Sequence, residues 1–208
     1  MALMKIGILG GTFNPIHIGH LIIAEEAYWR HGLSRVLFVP AGHPPHKDTQ
    51  DLIEAHHRYE MIKLAIHGND HFEASDIEIT RKSKSYTVDT VESLLQRLGR
   101  NCELYLIIGM DTVQELPSWK DIKRLSSLCR LILVNRPDIP LDSLSQLIPI
   151  LGEKKVLEME SLQMRIPPIG ISSTEIRNRL KAGRQVRYMV PEAVEYYIRT
   201  HGLYIKQS

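Results

Sequence analysis

The stretch GGTFNPIHIGH, Gly10 to His20, follows directly on the apolar run IGIL at residues 6–9. It packs three glycines, a proline and two histidines into eleven residues. Glycine inside a regular element costs roughly 0.5–1 kcal/mol relative to alanine, so these glycines mark a special turn, here at the end of a strand. Gly10 and Gly11 would let a ligand come close to the backbone. Pro15 stiffens the turn that feeds the next helix. His17 and His20 then share one face of that helix's first turn, where free N–H groups and the positive end of the helix dipole lie. With the Thr12 hydroxyl, the sum is an anion site, and Gly19 leaves room for a phosphate or a base. Neither GxxxxGK[ST] nor GxGxxG occurs, so this is neither a P-loop nor a dinucleotide fingerprint. The alternative reading is a glycine-rich turn with two helix-capping or core histidines.

Outward from this stretch, short β-branched runs alternate with amphipathic segments. KIGIL (5–9), RVLFV (35–39), FEASDIEI (72–79), ELYLII (103–108), RLILV (130–134) and KVLEME (155–160) read as strands. The first, second, fourth and fifth are almost wholly apolar, as parallel strands covered on both faces should be. Helices are expected at about 17–31, 53–67 and 88–98, each stopped by a glycine (Gly32, Gly68, Gly99), and again at 173–182 and 191–201. The pattern predicts an α/β, Rossmann-like, doubly wound and mainly parallel sheet with helices on both faces. Such sheets bind ligands beyond the carboxyl ends of their strands.

The 208 residues, 43% hydrophobic and 24% charged, suit one α/β domain over 1–208 with a small C-terminal helical part from about 171. A formal net charge of +2 gives no broad basic field for nucleic acid. No run approaches the ~18 apolar residues that would suggest a membrane span. MALMKIGIL carries one lysine and no small-residue cleavage site, so no signal peptide is expected. Cys102 and Cys129 stand alone, which suits a reducing, cytoplasmic setting.

A second helix start occurs at GISSTEIRNRL. Ser172 as N-cap and Glu175 at N3 form a capping box, flanked by an Ile171–Ile176 staple. Capping needs only one hydroxyl, yet Ser172, Ser173 and Thr174 supply three, and Arg177 adds a guanidinium one turn in. Two anion-binding helix starts, one near each end of the chain, suggest a polyphosphate held between them.

These residues, HIGH (17–20) and ISSTEIR (171–177), resemble the HxGH nucleotidyltransferase superfamily. Within it the chain is similar to the bacterial nicotinate-nucleotide adenylyltransferase family. GGTFNPIHIGH, PAGHPPHK (40–47), SYTVDT (85–90), IIGMDTVQELPSW (107–119) and VPEAVEYYIRTHGLY (190–204) carry that resemblance, in order, over nearly the whole chain. It implies a nucleotidyltransferase domain in which ATP and nicotinate mononucleotide give nicotinate adenine dinucleotide and pyrophosphate. It implies His17 and His20 on the ATP phosphates as catalytic residues. Gly11, Thr12 and Phe13 would cradle the phosphates, and Ser172, Ser173, Thr174 and Arg177 would hold the departing β,γ-phosphates. Gly109 and Asp111 would meet the ATP ribose or adenine. Mg²⁺ would ride on the ATP phosphates with few protein ligands.

For the mononucleotide, Lys47 could neutralise a phosphate or be a solvated loop lysine. Trp119 could stack on the pyridine ring or belong to the core. Tyr86 and Thr87 could offer helix-start amides to the ring carboxylate or be a plain cap. Arg136, after the fifth strand, is a further candidate. A homo-oligomer is compatible with all of this.

His43, His46, His56 and His57 match no standard zinc spacing. KSKS (82–85) is an imperfect version of an aminoacyl-tRNA synthetase signature, and the chain lacks room for the anticodon-binding parts. The rival functions are another nucleotidyltransferase, such as the phosphopantetheine enzyme, and a nucleotide sensor without turnover.

Overall fold

The computed structural model describes residues 3–44, 51–81, 83–99, 101–135 and 141–205. In chain order its elements are β1 (Met4–Gly11), α1 (Ile18–His31), β2 (Arg35–Pro40), α2 (Ala55–Ile66), β3 (Phe72–Ala74), α3 (Thr87–Leu98) and β4 (Cys102–Gly109). A 3₁₀ helix (Met110–Ser118), α4 (Ile122–Leu128) and β5 (Arg130–Asn135) follow. Next come a second 3₁₀ helix (Leu141–Leu147), α5 (Ile148–Leu151), α6 (Glu153–Ser161), β6 (Met164–Arg165), α7 (Ser173–Lys181) and α8 (Glu192–Thr200).

The sheet order is β3-β2-β1-β4-β5-β6 and every pairing is parallel. This is the doubly wound order, whose switch point lies between β1 and β4. Each central strand is covered on both sides, so its residues alternate between two cores. Leu9, Val36, Phe38, Tyr105, Ile107 and Ile132 face one core, closed by Ala24 and Ala27 of α1, Met61 and Ile62 of α2, Ile176 of α7, and Val194 and Ile198 of α8. Ile6, Ile8, Leu37, Val39, Leu104 and Leu106 face the other, closed by Val91 and Leu94 of α3, Leu125 of α4 and Met159 of α6. Fully burying one such aliphatic side chain is worth about 1.5–3 kcal/mol, which is why the apolar runs decide the fold. None of the described helices is long and apolar enough to cross a membrane.

Two expected strands change. KVLEME lies in a helix, α6: Val156 and Met159 are buried one turn apart, Leu157 points outward at 56% exposure, and Lys155 pairs with Glu158 at 2.8 Å. Its Lys, Leu, Glu and Met residues are good helix formers, and that preference outweighs the short apolar alternation. FEASDIEI pairs only over Phe72–Ala74; the segment then turns, with the Thr80 hydroxyl donating to the Asp76 carbonyl at 3.2 Å. The sixth strand is instead the two-residue Met164–Arg165, beside β5. α4 was also absent from the sequence reading: it is seven residues long, capped by the Asp121 carboxylate accepting from Arg124 N–H at 3.2 Å. The terminal glycines fall as expected, with Gly32 left-handed (φ 58°, ψ 44°), although Gly99 (φ 80°, ψ −174°) takes an extended positive-φ form.

The chain's end returns to its beginning. After α8, Tyr204 is buried and its hydroxyl donates to Asn14 Oδ1 at 2.8 Å. Burial raises the phenol pKa above its ordinary value, so this group stays a donor. Tyr204→Phe leaves that acceptor short of its donor in a dry site and should lower the unfolding free energy by about 1–3 kcal/mol. Urea denaturation with an unchanged slope is the check.

Candidate functional site

β1 ends beside β4 at the switch point, and the turn after β1 bends into α1. His17 is the N-cap of α1 (φ −147°, ψ 170°) and is buried; His20 is N3 and half-buried. Their rings stack at 3.7 Å and 29°. The His17 backbone N–H donates to His20 Nδ1 at 3.2 Å. An accepting Nδ1 selects the tautomer with its proton on Nε2. Phe13 sits at φ 47°, a conformation that costs a bulky residue about 1–3 kcal/mol, and its ring meets His20 edge-on at 4.9 Å. The space above Gly19 belongs first to His17: a Cβ there would meet that ring at 3.0 Å. A Cβ at Gly10 would meet nothing within 4 Å, so this strand end is open.

The start of α7 docks onto the same turn across more than 150 residues of sequence. Ser173 Oγ donates to the Pro15 carbonyl at 2.8 Å, and Arg177 Nη1 donates to the Asn14 carbonyl at 2.9 Å. Ser172 Oγ accepts from Glu175 N–H at 3.1 Å. The expected capping box is only half made, because the Glu175 carboxylate turns to Arg179 at 2.7 Å. The two helix starts line one cleft of about 560 Å³, which brings together Gly11, Thr12, Phe13, His17, His20, Asp111, Ser172, Ser173, Thr174 and Arg177. Gly109 does not line it. Its lack of a side chain makes room for the Asp111 carboxylate, onto which a Cβ would fall.

A second cleft of about 360 Å³ lies across His20, sharing Gly10, His20, Ile23 and Asp111 with the first. Gly109, Tyr86, Thr87 and Trp119 line it. Thr87 opens α3 and Tyr86 is its N-cap, without a side-chain cap bond, so first-turn amides of α3 border this cleft. Lys120 Nζ lies 4.8 Å from the Tyr86 ring centroid and 2.9 Å from both Asp89 oxygens. Behind is an apolar chamber of about 190 Å³ reaching Glu78, Ser85 and Thr90. Lys47, His46 and Arg136 lie outside the described residues.

Several residues at the site escaped the sequence reading. Arg58 is 1% exposed and gives its guanidinium wholly to carbonyls: Nε to Ile53 (3.1 Å), Nη1 to Thr12 (2.7 Å) and Nη2 to Ala41 (2.6 Å). Its signal was an arginine on the apolar stripe of α2, in phase with Met61 and Ile62. Asn14 Nδ2 donates to the Asp51 carbonyl at 2.8 Å. The Asp51 carboxylate, at the rim of the first cleft, meets Lys181 at 2.6 Å, which holds its pKa below the usual carboxylate range. Glu78 accepts the Thr90 hydroxyl at 2.7 Å, and burial raises its pKa. Among the described residues, no three His, Cys, Asp or Glu side chains gather as a metal site.

The cytidylyltransferase-like family model matches residues 8–179. A Moorella thermoacetica protein named "probable nicotinate-nucleotide adenylyltransferase" is 43% identical over 96% of this chain and 91% of its own length. A Syntrophotalea carbinolica protein of the same name is 44% identical over 99% of each. The chain belongs to the nicotinate-nucleotide adenylyltransferase family. The solved structure of Plasmodium falciparum nicotinic acid mononucleotide adenylyltransferase complexed with NaAD is alike in fold, with a TM-score of 0.76 over 97% of each chain at 20% identity.

The main chain beyond the end of β2 tolerates little added volume. A Cβ at Gly42, just after β2, would fall on the Glu78 carbonyl. Gly42→Ala should therefore cost about 1–3 kcal/mol by forcing the backbone apart, read as a lower melting temperature.

Proposed function

We propose that this family member transfers the adenylyl group of ATP to nicotinate mononucleotide, giving nicotinate adenine dinucleotide and pyrophosphate. The observation that carries the reading is the shared wall. A cleft flanked by two helix N-termini meets a second cleft bordered by a third helix start and an indole, and His20 and Asp111 belong to both.

The mononucleotide's 5′-phosphate oxygen attacks the α-phosphorus of ATP in line. One P–O bond forms, the bond to the bridging oxygen breaks, and pyrophosphate leaves with that electron pair. The attacking oxygen is already anionic, so catalysis is positioning and charge stabilisation. His20 donates Nε2–H to the α-phosphate as charge builds, and His17 braces the His20 ring by stacking. Gly11, Thr12 and Phe13 offer backbone amides to the phosphates. Ser172, Thr174, Arg177 and the Ser173 amide receive the β,γ-phosphates; the Ser173 hydroxyl hydrogen is committed to Pro15. Asp111 meets the ATP ribose, with Gly109 giving its carboxylate room. Mg²⁺ enters as part of the substrate, on the ATP phosphates. The cleft lining suits that, being rich in N–H and hydroxyl groups, with the Asp51 carboxylate already paired to Lys181.

His20→Ala should lower kcat by on the order of 10²–10³, as removal of a preorganised donor does, with the fold retained by circular dichroism. A folded variant within a few-fold of the parent would remove His20 from the mechanism.

The pyridine ring's carboxylate meets the first-turn amides of α3 near Tyr86 and Thr87, while Trp119 stacks on the ring. Amide donors and the helix dipole favour an anion, whereas a carboxamide loses the charge-assisted contact and brings N–H donors of its own. Because sites that leave buried polar groups unpaired discriminate strongly, kcat/KM should favour the acid mononucleotide over the amide by about a hundredfold or more. Trp119→Ala should weaken both alike and keep the ratio. The deciding assay is pyrophosphate release with nicotinate mononucleotide, nicotinamide mononucleotide and phosphopantetheine. Turnover with phosphopantetheine alone would overturn the reading.

A further inference from the structure

Among the described residues Arg58 is the largest fully buried side chain, and no carboxylate there pairs with it. Its three partners are neutral carbonyls on three segments that converge behind the first cleft: Thr12, Ala41 and Ile53. The nearest buried acid, Glu78, lies across the Ala41–Gly42 peptide and is bonded to Thr90. Taking an ion out of water is expensive, and carbonyl dipoles return only part of that cost. Such a charge persists where something else gains from it.

Thr12 supplies the link. Its carbonyl, 2.7 Å from Nη1, faces Arg58, and the residue itself lines the cleft. We propose that Arg58 is a positioning residue whose buried charge is balanced by the polyphosphate of the nucleotide in this cleft, acting through the Thr12 carbonyl without touching the ligand. This rests on the reading of the cleft as the ATP phosphate site. A second function follows from one of these contacts: by drawing the Thr12 carbonyl backward, the guanidinium turns the following Phe13 amide toward the cleft.

The test is equilibrium titration of the protein with magnesium pyrophosphate, for the parent chain, Arg58→Gln and Arg58→Lys, beside melting temperatures. Loss of the charge should weaken pyrophosphate by on the order of tenfold or more in Arg58→Gln, with Arg58→Lys within about threefold of the parent. A purely structural arginine would lower the melting temperature of both variants and leave the affinity of the folded molecules alone; that outcome overturns the proposal. So does an equal loss in both variants, which would assign the effect to the guanidinium fork. Should Arg58→Gln fail to fold, Arg58→Lys carries the test. A buried lysine sheds its proton more readily than a free one, so the affinity of Arg58→Lys relative to the parent's must fall between pH 6 and pH 9. A pH-independent ratio overturns the proposal. If the parent binds neither pyrophosphate nor ATP, the assignment of the cleft itself has failed, a result distinct from parent binding that the variants leave unchanged.

Discussion

The turn after β1 is held by its carbonyls. Gly11 O accepts from Ala41 N–H at 2.8 Å, Thr12 O from Arg58, Asn14 O from Arg177 and Pro15 O from Ser173. Across a trans peptide the carbonyl and the following N–H point in opposite directions. Fixing Gly11 O and Thr12 O rearward thus directs the Thr12 and Phe13 amides the other way. An anion site made of amides has to dispose of as many carbonyls, since an inward carbonyl would repel the ligand. The donors that do this come from the β2 end, α2 and α7. Much of the fold's long-range organisation, including the return of Tyr204 to Asn14, serves this one turn.

This explains which parts of the site were legible in the sequence. HIGH, SSTxxR and the glycines act through local geometry: helix starts, caps and open strand ends. Local geometry leaves spacing patterns that one chain can reveal. The apolar runs of β1, β2, β4 and β5 were legible for the same reason, since being covered on both faces removes every polar position. Apart from the Arg58 bond to Ile53, the contacts of Arg58, Asn14 and Tyr204 reach across 17 to 190 residues to main-chain or amide partners, and Glu78 reaches 12 residues to a hydroxyl. A carbonyl partner has no residue identity, so no spacing rule announces it. KVLEME failed for a different reason: its apolar residues fit either period, Leu157 with Met159 as an alternating pair or Val156 with Met159 as a pair one turn apart, and only packing against β5 and its neighbours decides.

Two buried charges of opposite sign flank the Ala41–Gly42 peptide. Arg58 takes the Ala41 carbonyl at 2.6 Å, while Gly42 N–H lies 3.1 Å from Ser85 Oγ and also bonds toward Glu78. Ser85 Oγ accepts the His43 amide at 3.1 Å as well, which fixes the segment just before Tyr86 and Thr87. One peptide unit is thereby strung between the support of the first cleft and the support of the second. The two attract one another across this peptide, but the hydrogen bonds of each go to dipoles and hydroxyls, without a direct bond between them. Each also has its place: the guanidinium lies behind the turn that lines the first cleft, and the carboxylate anchors the hydroxyls that brace the start of α3.

The shared wall then sets what the protein has to supply chemically. Two nucleotides with anionic phosphates repel one another, and the most costly moment is their approach at the α-phosphorus. A protein nucleophile would halve the problem by separating the substrates in time, but it would need a side chain able to carry an adenylyl group between two clefts. On the proposed reading the wall holds none suited to that: Gly10 and Ile23 are inert, the Asp111 carboxylate is engaged at the ATP ribose, and His20 has its Nδ1 occupied by the His17 amide. What the wall provides is a single Nε2–H donor with cations and amides behind it on one side and a helix start on the other. Direct attack is the reaction that such a wall can assist, because charge at the phosphorus is met where it develops and neither substrate has to move after binding.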